Sequence, residues 1–310
     1  LKYAIDVHGI LYTPPSFLRM SLHQELARPM GDVSRWEKIY ERMNLLNQYY
    51  PILSKPISKR QHMLVKIRTK EFESCYQELF QLFVKEKNVF CNLHLVACVY
   101  KKYFKHNKCI LQNEKDQYFV YCEDLNSTLK EIRKQKMKGL TISKQKSVYK
   151  FMDDYAFLYF KKRFIGVLFQ TNSCLSYIVA KHNKRDIRVG NIDTLMNLYF
   201  SLLLMDVIPV NHAITISVLS ELNQIVHKYK SLVESSDHVP NVLQRFNLPC
   251  YGRQDDFQSI LRERQKKYRE LKDKKTSVEY KKWFFKYTPT LKQKTVKKKG
   301  KNNVKTRKKI

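Results

Sequence analysis

Apolar residues recur every three or four positions along much of this chain, which is the spacing of an amphipathic helix. The segment "DVSRWEKIYERMNLLNQYYPIL" (32–53) shows it clearly, with Asp32 or Ser34 suited to cap the helix and Pro51 to mark its end. The helical spacing in this segment is kept by Trp36, Ile39, Tyr40, Met43 and Leu46.

The same spacing predicts helices elsewhere. Residues 60–105 are predicted to form two or three helices, and residues 124–138 a basic helix that ends at Gly139. Residues 144–235 are predicted to be almost continuous helix, with breaks near 185–191 and at Pro209.

Few segments favour strands. Residues 106–122 are ambiguous, because "DQYFVYCE" also suits a short strand. After about residue 255 a long charged helix, "DDFQSILRERQKKYRELKDKK", precedes a tail. The chain has only 7 glycines among 310 residues, and the tight turns of sheet-rich folds usually need glycine. The sequence therefore predicts an all-α protein.

Two segments share a repeated order of features. "LFQLFVKEKNVFCNLHLVACVYKKY" (79–103) and "LYFSLLLMDVIPVNHAITISVLSEL" (198–222) each contain an apolar helix, a break, an asparagine and a second apolar segment. The asparagines are Asn92 and Asn211, and a weaker copy over 160–184 contains Asn172. Helical hairpins repeated in this way are the signature of an α-solenoid. An ordinary helical hairpin, however, needs the same cap and break.

The junction "DVIPVNHAITISVL" (206–219) resembles the helix-to-helix junction of pentatricopeptide repeats, and "KNVFCNLHLVACVY" (87–100) is similar, with Phe90 in place of proline. The resemblance implies a fold of helical hairpins in a solenoid-like, pentatricopeptide-like array, with a long basic C-terminal helix and an extended tail. It also implies RNA binding. One base-reading position of the family falls at Ile216, which cannot hydrogen-bond a base, whereas Asn211 could serve as the other.

The charge balance indicates a polyanionic partner. Lys and Arg number 59 against 28 Asp and Glu, a net charge of +31, and residues 290–310 contain ten basic residues and no acidic one. This tail lacks apolar periodicity, so we expect it to order only against a phosphate backbone, although a localisation or solubility role is an alternative. The residues predicted to bind RNA are Lys281, Lys282, Lys286, Lys292, Lys294, Lys297, Lys298, Lys299, Lys301, Lys305, Arg307, Lys308 and Lys309.

No motif in the sequence indicates catalysis, a cofactor or a metal. Seven cysteines occur without a C-x-x-C pair, which suggests buried thiols in a reducing compartment and no disulfide framework. Cys91, His94 and Cys98 share a helical face, but three ligands on one helix are more typical of a core stripe than of a zinc site. Asp153 and Asp154 are expected to cap a helix or face solvent.

In composition, the chain resembles fungus-specific proteins of the mitochondrial small ribosomal subunit. The resemblance implies a non-enzymatic component of the mitochondrial matrix that binds rRNA and neighbouring ribosomal proteins, with no small-molecule substrate and no membrane insertion. A pentatricopeptide factor acting on mRNA and a nucleolar biogenesis factor are alternatives. The predicted segments are an N-terminal extension (1–58), a helical-repeat core (59–255) and a basic helix with its tail (256–310).

Overall fold

A computed structural model gives the fold of the protein. It describes residues 4–28, 33–53, 69–100, 117–147, 152–171, 173–205, 208–235, 240–245, 248–252 and 257–284. The chain divides into two compact units, Leu1–Phe257 and Gln258–Ile310. The three segments predicted from the sequence stay a prediction.

The first unit contains both helices and strands. Its helices are α1 (Pro15–Leu26), α2 (Trp36–Tyr49), α3 (Lys70–Lys85), α4 (Leu93–Val99), α5 (Leu125–Lys134), α6 (Ile192–Met205) and α7 (His212–Ser235). Its strands are β1 (Ile5–Val7), β2 (Ile10–Tyr12), β3 (Val89–Phe90), β4 (Tyr118–Cys122), β5 (Leu140–Gln145), β6 (Tyr155–Phe160), β7 (Arg163–Gln170), β8 (Leu175–His182), β9 (Arg185–Gly190) and β10 (Cys250–Tyr251).

Eight of the described strands form one mixed sheet in the order β10-β8-β9-β3-β4-β7-β6-β5, and β1 and β2 form a separate hairpin. Two neighbouring pairs in the large sheet are parallel, β3 with β9 and β4 with β7, and the other pairs are antiparallel. In the β4–β7 pair, Cys122 lies opposite Gln170, so both strands end at the same edge of the sheet.

The helical part of the first unit is centred on α6, which packs against α1 and α7. A buried ionic network joins these elements. Asp193, the second residue of α6, accepts a hydrogen bond from Nδ1 of His23 on α1 at 2.8 Å and is also paired with Arg245. The side chains of all three residues are fully buried. Their contacts connect α1, α6 and the segment that contains Arg245.

The prediction of an all-α solenoid is wrong, because most of residues 140–190 form β5 to β9. The third supposed repeat, 160–184, consists mainly of β7 and β8. Both strands are largely buried, and a strand with both faces covered shows an unbroken apolar run without the alternation that identifies a strand. A run of this kind fits a buried helix as well as a buried strand.

The scarcity of glycine also misled the prediction, since lysine and asparagine occupy turn positions that glycine usually takes. In the turn between β6 and β7, Lys161 and Lys162 have φ values of 46° and 68°, and in the turn between β8 and β9 Asn183 and Lys184 have φ values of 50° and 63°. Positive φ at two consecutive residues is the requirement of a type I′ hairpin turn.

Several local predictions are confirmed. Segment 36–49 is helical with Ile39 and Met43 buried, "DQYFVYCE" contains β4, and the basic segment after 124 forms α5, although this helix ends at Lys134, before Gly139. The side chain of Asn211 caps α7, because its Oδ1 accepts a hydrogen bond from the Ile214 backbone N–H at 3.1 Å.

The other two asparagines differ from Asn211. Asn92 stands at the start of α4 but makes no side-chain cap, and Asn172 lies outside the described residues. No helix in the described ranges is long and apolar enough to cross a bilayer.

The second unit contains α8 (Phe257–Leu271), apart from its first residue, and α9 (Val278–Phe284) among its described residues. The charged pattern predicts α8, whereas α9 lies where the sequence predicted no helix. The ring of Phe284 contacts those of Tyr268 and Tyr280, with centroids 5.5 and 5.0 Å apart. An ion pair between Lys267 Nζ and Glu279 Oε1 at 3.7 Å also links the two helices.

Candidate functional site

A crevice lies at the sheet edge where β4 and β7 end. Ligands of open α/β sheets bind in crevices outside the carboxyl ends of their parallel strands. The crevice has a volume of about 540 Å³. Its lining residues are Glu86, Asn88, Glu123, Asp124, Ser127, Thr128, Gln170, Thr171 and Tyr251.

Gln170 holds the backbone that follows β4. Its Nε2 donates to the carbonyl of Glu123 at 2.6 Å, and its Oε1 accepts from the backbone N–H of Leu125 at 2.7 Å. The segment between β4 and α5 therefore has its shape set by a side chain from the neighbouring strand.

Tyr251 holds the same segment from the other side. Its hydroxyl accepts from the backbone N–H of Glu123 at 2.9 Å and donates to Oδ1 of Asn88 at 2.9 Å. Burial raises the pKa of this hydroxyl well above its usual range, so it stays protonated and can donate at neutral pH. The crevice wall is thus assembled from three distant parts of the sequence.

A smaller pocket of about 290 Å³ lies beside the crevice and shares Gln170 with it. Its polar groups are paired with one another. Asp154 accepts a hydrogen bond from the backbone N–H of Ser147 at 3.0 Å, and Lys144 Nζ donates to Oδ1 of Asn126 at 2.8 Å. Asp154 therefore neither caps a helix nor simply faces solvent, because its carboxylate binds the backbone of the segment that follows β5.

The larger crevice is acidic, although the chain as a whole is strongly basic. Three carboxylates, Glu86, Glu123 and Asp124, line it, and none of the described residues that line it is a lysine or arginine. Asn88 is 2% exposed, and its Nδ2 has no hydrogen-bond partner in the part of the chain that the structure describes. Acceptors from the carboxylates and a donor from Asn88 suit a neutral polar ligand that offers hydroxyl or amino groups.

These carboxylates do not combine into a metal site. Oδ1 of Asp124 caps α5, accepting from the backbone N–H groups of Asn126 and Ser127 at 2.9 and 3.1 Å. Across the described residues, no three His, Cys, Asp or Glu side chains are grouped so that they could hold a metal ion.

The residues predicted to bind RNA fall largely outside the described part of the chain. Lys281 is exposed on α9, and Lys282 belongs to the same helix. The others, from Lys286 to Lys309, lie outside the described residues, so RNA binding by the tail stays a prediction. Mitochondrial localisation also stays a prediction.

The cysteines differ from the prediction. Cys91 is buried just before α4 begins, whereas Cys98 on α4 is exposed, so they do not form one core stripe. The sulfurs of Cys174 and Cys250 are bonded to each other, whereas the sequence predicted buried thiols and no disulfide framework.

Sequence reasoning missed the crevice. One signal was available in "YFVYCEDLNST" (118–128), where an apolar strand is followed by Glu123, Asp124 and the polar start of a helix. No local pattern marks Gln170, Asn88 or Tyr251 as members of the same wall.

No protein-family model matches the chain, and neither does any curated protein. Among solved structures, the chain is similar to the crystal structure of the Megavirus polyadenylate synthase, with a TM-score of 0.65 and 15% sequence identity. The match covers 87% of this chain and 56% of the other, so this chain spans little more than half the length of that protein. At this identity the likeness shows a shared fold.

The shared fold overturns the functional predictions. The protein was predicted to be a ribosomal component that binds rRNA and ribosomal proteins, or alternatively a pentatricopeptide factor. Both interpretations are wrong, because they depended on a helical array and the fold is instead that of a protein named as an enzyme. The predictions of no enzymatic activity and no small-molecule substrate are wrong for the same reason.

Proposed function

We propose that this chain acts in the synthesis of polyadenylate on RNA, as part of an enzyme that transfers adenylate from ATP to an RNA 3′-hydroxyl and releases pyrophosphate. The observation that carries the proposal is the fold likeness to a polyadenylate synthase over 87% of the chain. The net charge of +31 supports it, because RNA is a polyanion.

The crevice supports the proposal and suggests which part of the substrate it holds. Its volume of about 540 Å³ is in the range of small-molecule sites. Carboxylates accept hydrogen bonds from ribose hydroxyls in nucleotide sites, and an asparagine amide pairs with the edge of adenine. Glu86, Glu123 and Asp124 would repel phosphate groups, so we assign the crevice to the nucleoside portion of a nucleotide or of an RNA 3′ end.

Nucleotidyl transfer commonly uses metal ions held by carboxylates. The described residues do not fit such a centre, since Asp124 serves as a helix cap and no group of potential ligands is present among them. No metal-dependent step is therefore assigned to these residues, and the crevice is a binding site.

An extension assay tests the proposal. The complete gene product is incubated with a 5′-labelled RNA, a divalent cation and one nucleoside triphosphate at a time. We expect ATP to lengthen the RNA, and CTP, GTP and UTP to have little effect. A folded protein that does not lengthen RNA, or that uses all four nucleotides equally, would contradict the proposal.

A variant of the crevice links the activity to this site. In Gln170→Glu a carboxylate replaces the amide that donates to the Glu123 carbonyl, so the crevice wall loses that contact. We expect the affinity of the 310-residue chain for adenosine-ended RNA to fall about tenfold, equivalent to about 1.4 kcal/mol. Gln48→Glu, the same change at an exposed position on α2, is the control and should leave affinity unchanged.

A further inference from the structure

Lysine occupies an unusual share of the left-handed backbone positions in this protein. Seven described residues other than glycine have positive φ, and five of them are lysines: Lys87, Lys136, Lys161, Lys162 and Lys184. Asparagine, aspartate and glycine adopt this conformation at lower cost than lysine does. Residues kept in unfavourable backbone conformations often serve a function that the more favourable residue would not serve.

Three of these lysines belong to two segments that pack against each other. The backbone N–H of Lys161 donates to the carbonyl of Gly139 at 2.8 Å, so the turn between β6 and β7 lies against the connection between α5 and β5. A Cβ added at Gly139 would come within 3.3 Å of Cγ of Lys161, which shows how closely the two segments pack. We call this region the lysine-turn surface, and its basic residues are Lys136, Lys138, Lys161, Lys162 and Arg163.

The lysine-turn surface lies away from the crevice. Arg163 is the first residue of β7, and Gln170 in the crevice is the last, so the surface and the crevice occupy opposite edges of the sheet. The two regions also have opposite charge. A long linear ligand could contact both edges, but the lysine-turn surface is not part of the nucleoside crevice.

Four of the five basic side chains of this surface are exposed, and that of Arg163 is half-buried. Lys136, Lys138 and Lys162 are exposed and form no salt bridge with the part of the chain that the structure describes. Aromatic rings position the other two, with Lys161 Nζ 5.6 Å from the centre of the Phe160 ring and the Arg163 guanidinium 4.6 Å from that of Phe72.

One acidic residue lies near this surface. The pKa of Glu71 is lowered first by a hydrogen bond with Thr69 and its own backbone, and then by the charges of Lys161 and Lys138. This one carboxylate does not balance the five basic residues of the surface.

We propose that the lysine-turn surface binds the phosphate backbone of the RNA substrate. The choice of RNA as the polyanion rests on the proposed function. Lysine acts as a point charge toward phosphate, so the contacts position RNA without reading its sequence. A membrane surface fits less well, because none of the large exposed apolar side chains among the described residues belongs to this surface.

The double variant Lys161→Asn with Lys162→Gly tests this proposal. Asn-Gly is the favoured sequence of a type I′ turn, so the variant removes two charges while it relieves the backbone. We expect the melting temperature to stay the same or rise. The affinity for single-stranded RNA should fall, and the slope of log affinity against log salt should decrease in magnitude by about 1.4, since each lost phosphate contact contributes about 0.7.

Lys184→Gly is the matched control. It removes one charge and one left-handed lysine from the turn between β8 and β9, at the other edge of the sheet. We expect it to stabilise the fold while the affinity for RNA and its salt slope stay unchanged.

The outcomes separate the alternatives. If the double variant is more stable but binds RNA with unchanged affinity and salt slope, the lysines serve only the turn and the proposal is wrong. If instead it loses binding to vesicles of anionic lipid while RNA binding is kept, the surface binds membranes. If the double variant loses RNA binding but the unmodified protein does not polyadenylate RNA, the lysine-turn surface binds RNA and the proposed function is wrong. If the unmodified protein polyadenylates RNA and the double variant binds RNA normally, only the proposal for this surface is wrong.

Discussion

The guanidinium of Arg245 pairs with the carboxylate of Asp193 through two hydrogen bonds, Nε donating to Oδ2 at 2.8 Å and Nη2 donating to Oδ1. The two residues are 52 positions apart, and neither side chain is exposed to solvent. His23 donates to the same carboxylate from α1. Burial raises the pKa of Asp193, but the charge of Arg245 and the hydrogen bonds from His23 and Arg245 lower it by more, to about 2.

The first prediction concerns the loss of one partner of this buried pair. Asp193→Asn leaves the Arg245 charge buried without its counter-ion, which typically costs about 3–5 kcal/mol in the free energy of unfolding. Urea denaturation followed by circular dichroism measures the loss. Asp186→Asn, which breaks the exposed pair with Lys181, should have little effect. Equal losses in the two variants would contradict a special role for the buried pair.

The second prediction concerns pH. Burial lowers the pKa of His23, against the raising effect of Asp193, so the folded protein keeps this histidine neutral where the unfolded chain, with a pKa of about 6.5, takes up a proton. The contribution of His23 to stability is therefore complete above pH 6.5 and decreases as the pH falls below it. Asp193 contributes above pH 3.8 and loses its contribution as the pH falls toward 2.

His23→Gln, which cannot be protonated, tests this linkage. We expect the free energy of unfolding of this variant to change less between pH 7 and pH 5 than that of the unmodified protein, in urea titrations at each pH. His8→Gln, at an exposed position, is the control. The interpretation would be wrong if His23→Gln kept the full pH dependence.

The third prediction concerns a close approach between β4 and β7 at Gly166. A Cβ added at Gly166 would lie 2.5 Å from the carbonyl oxygen of Tyr118, and backbone atoms cannot move aside as a flexible side chain can. We expect Gly166→Ala to lower the free energy of unfolding by about 1–3 kcal/mol, in the range of overpacked cores. A Cβ added at Gly9 would have no atom within 4 Å, so Gly9→Ala tests the cost of the backbone conformation alone. We expect it to lower the free energy of unfolding by less than Gly166→Ala does.

The fourth prediction concerns the basic tail, whose RNA contacts are predicted from the sequence. Deleting residues 290–310 removes ten positive charges. We expect weaker RNA binding in fluorescence anisotropy and a smaller salt slope, by about 0.7 for each phosphate contact that is lost. The melting temperature should not change. A deletion that leaves the salt slope intact would assign the charge to another role.

Local features of the sequence determined those helices that have a capping residue or a proline at one end. The spacing of Ile39 and Met43 predicts α2, and Asn211 after Pro209 predicts the start of α7, because capping and helical periodicity involve neighbours within about four residues. The concentration of charge in the tail is likewise a property of composition. These features need no information about distant residues.

Only the tertiary structure decided that residues 140–190 form strands, and it alone assembled the crevice. An apolar run such as "YAFLYF" (155–160) suits a buried helix or a buried strand equally, and the choice depends on the neighbours that cover its two faces. The crevice wall joins Asn88, Glu123, Gln170 and Tyr251, whose hydrogen bonds span up to 163 positions of sequence. Contacts between residues far apart in the chain produce no periodic pattern in the sequence. The role of each of these residues depends on a partner that only the fold brings close to it.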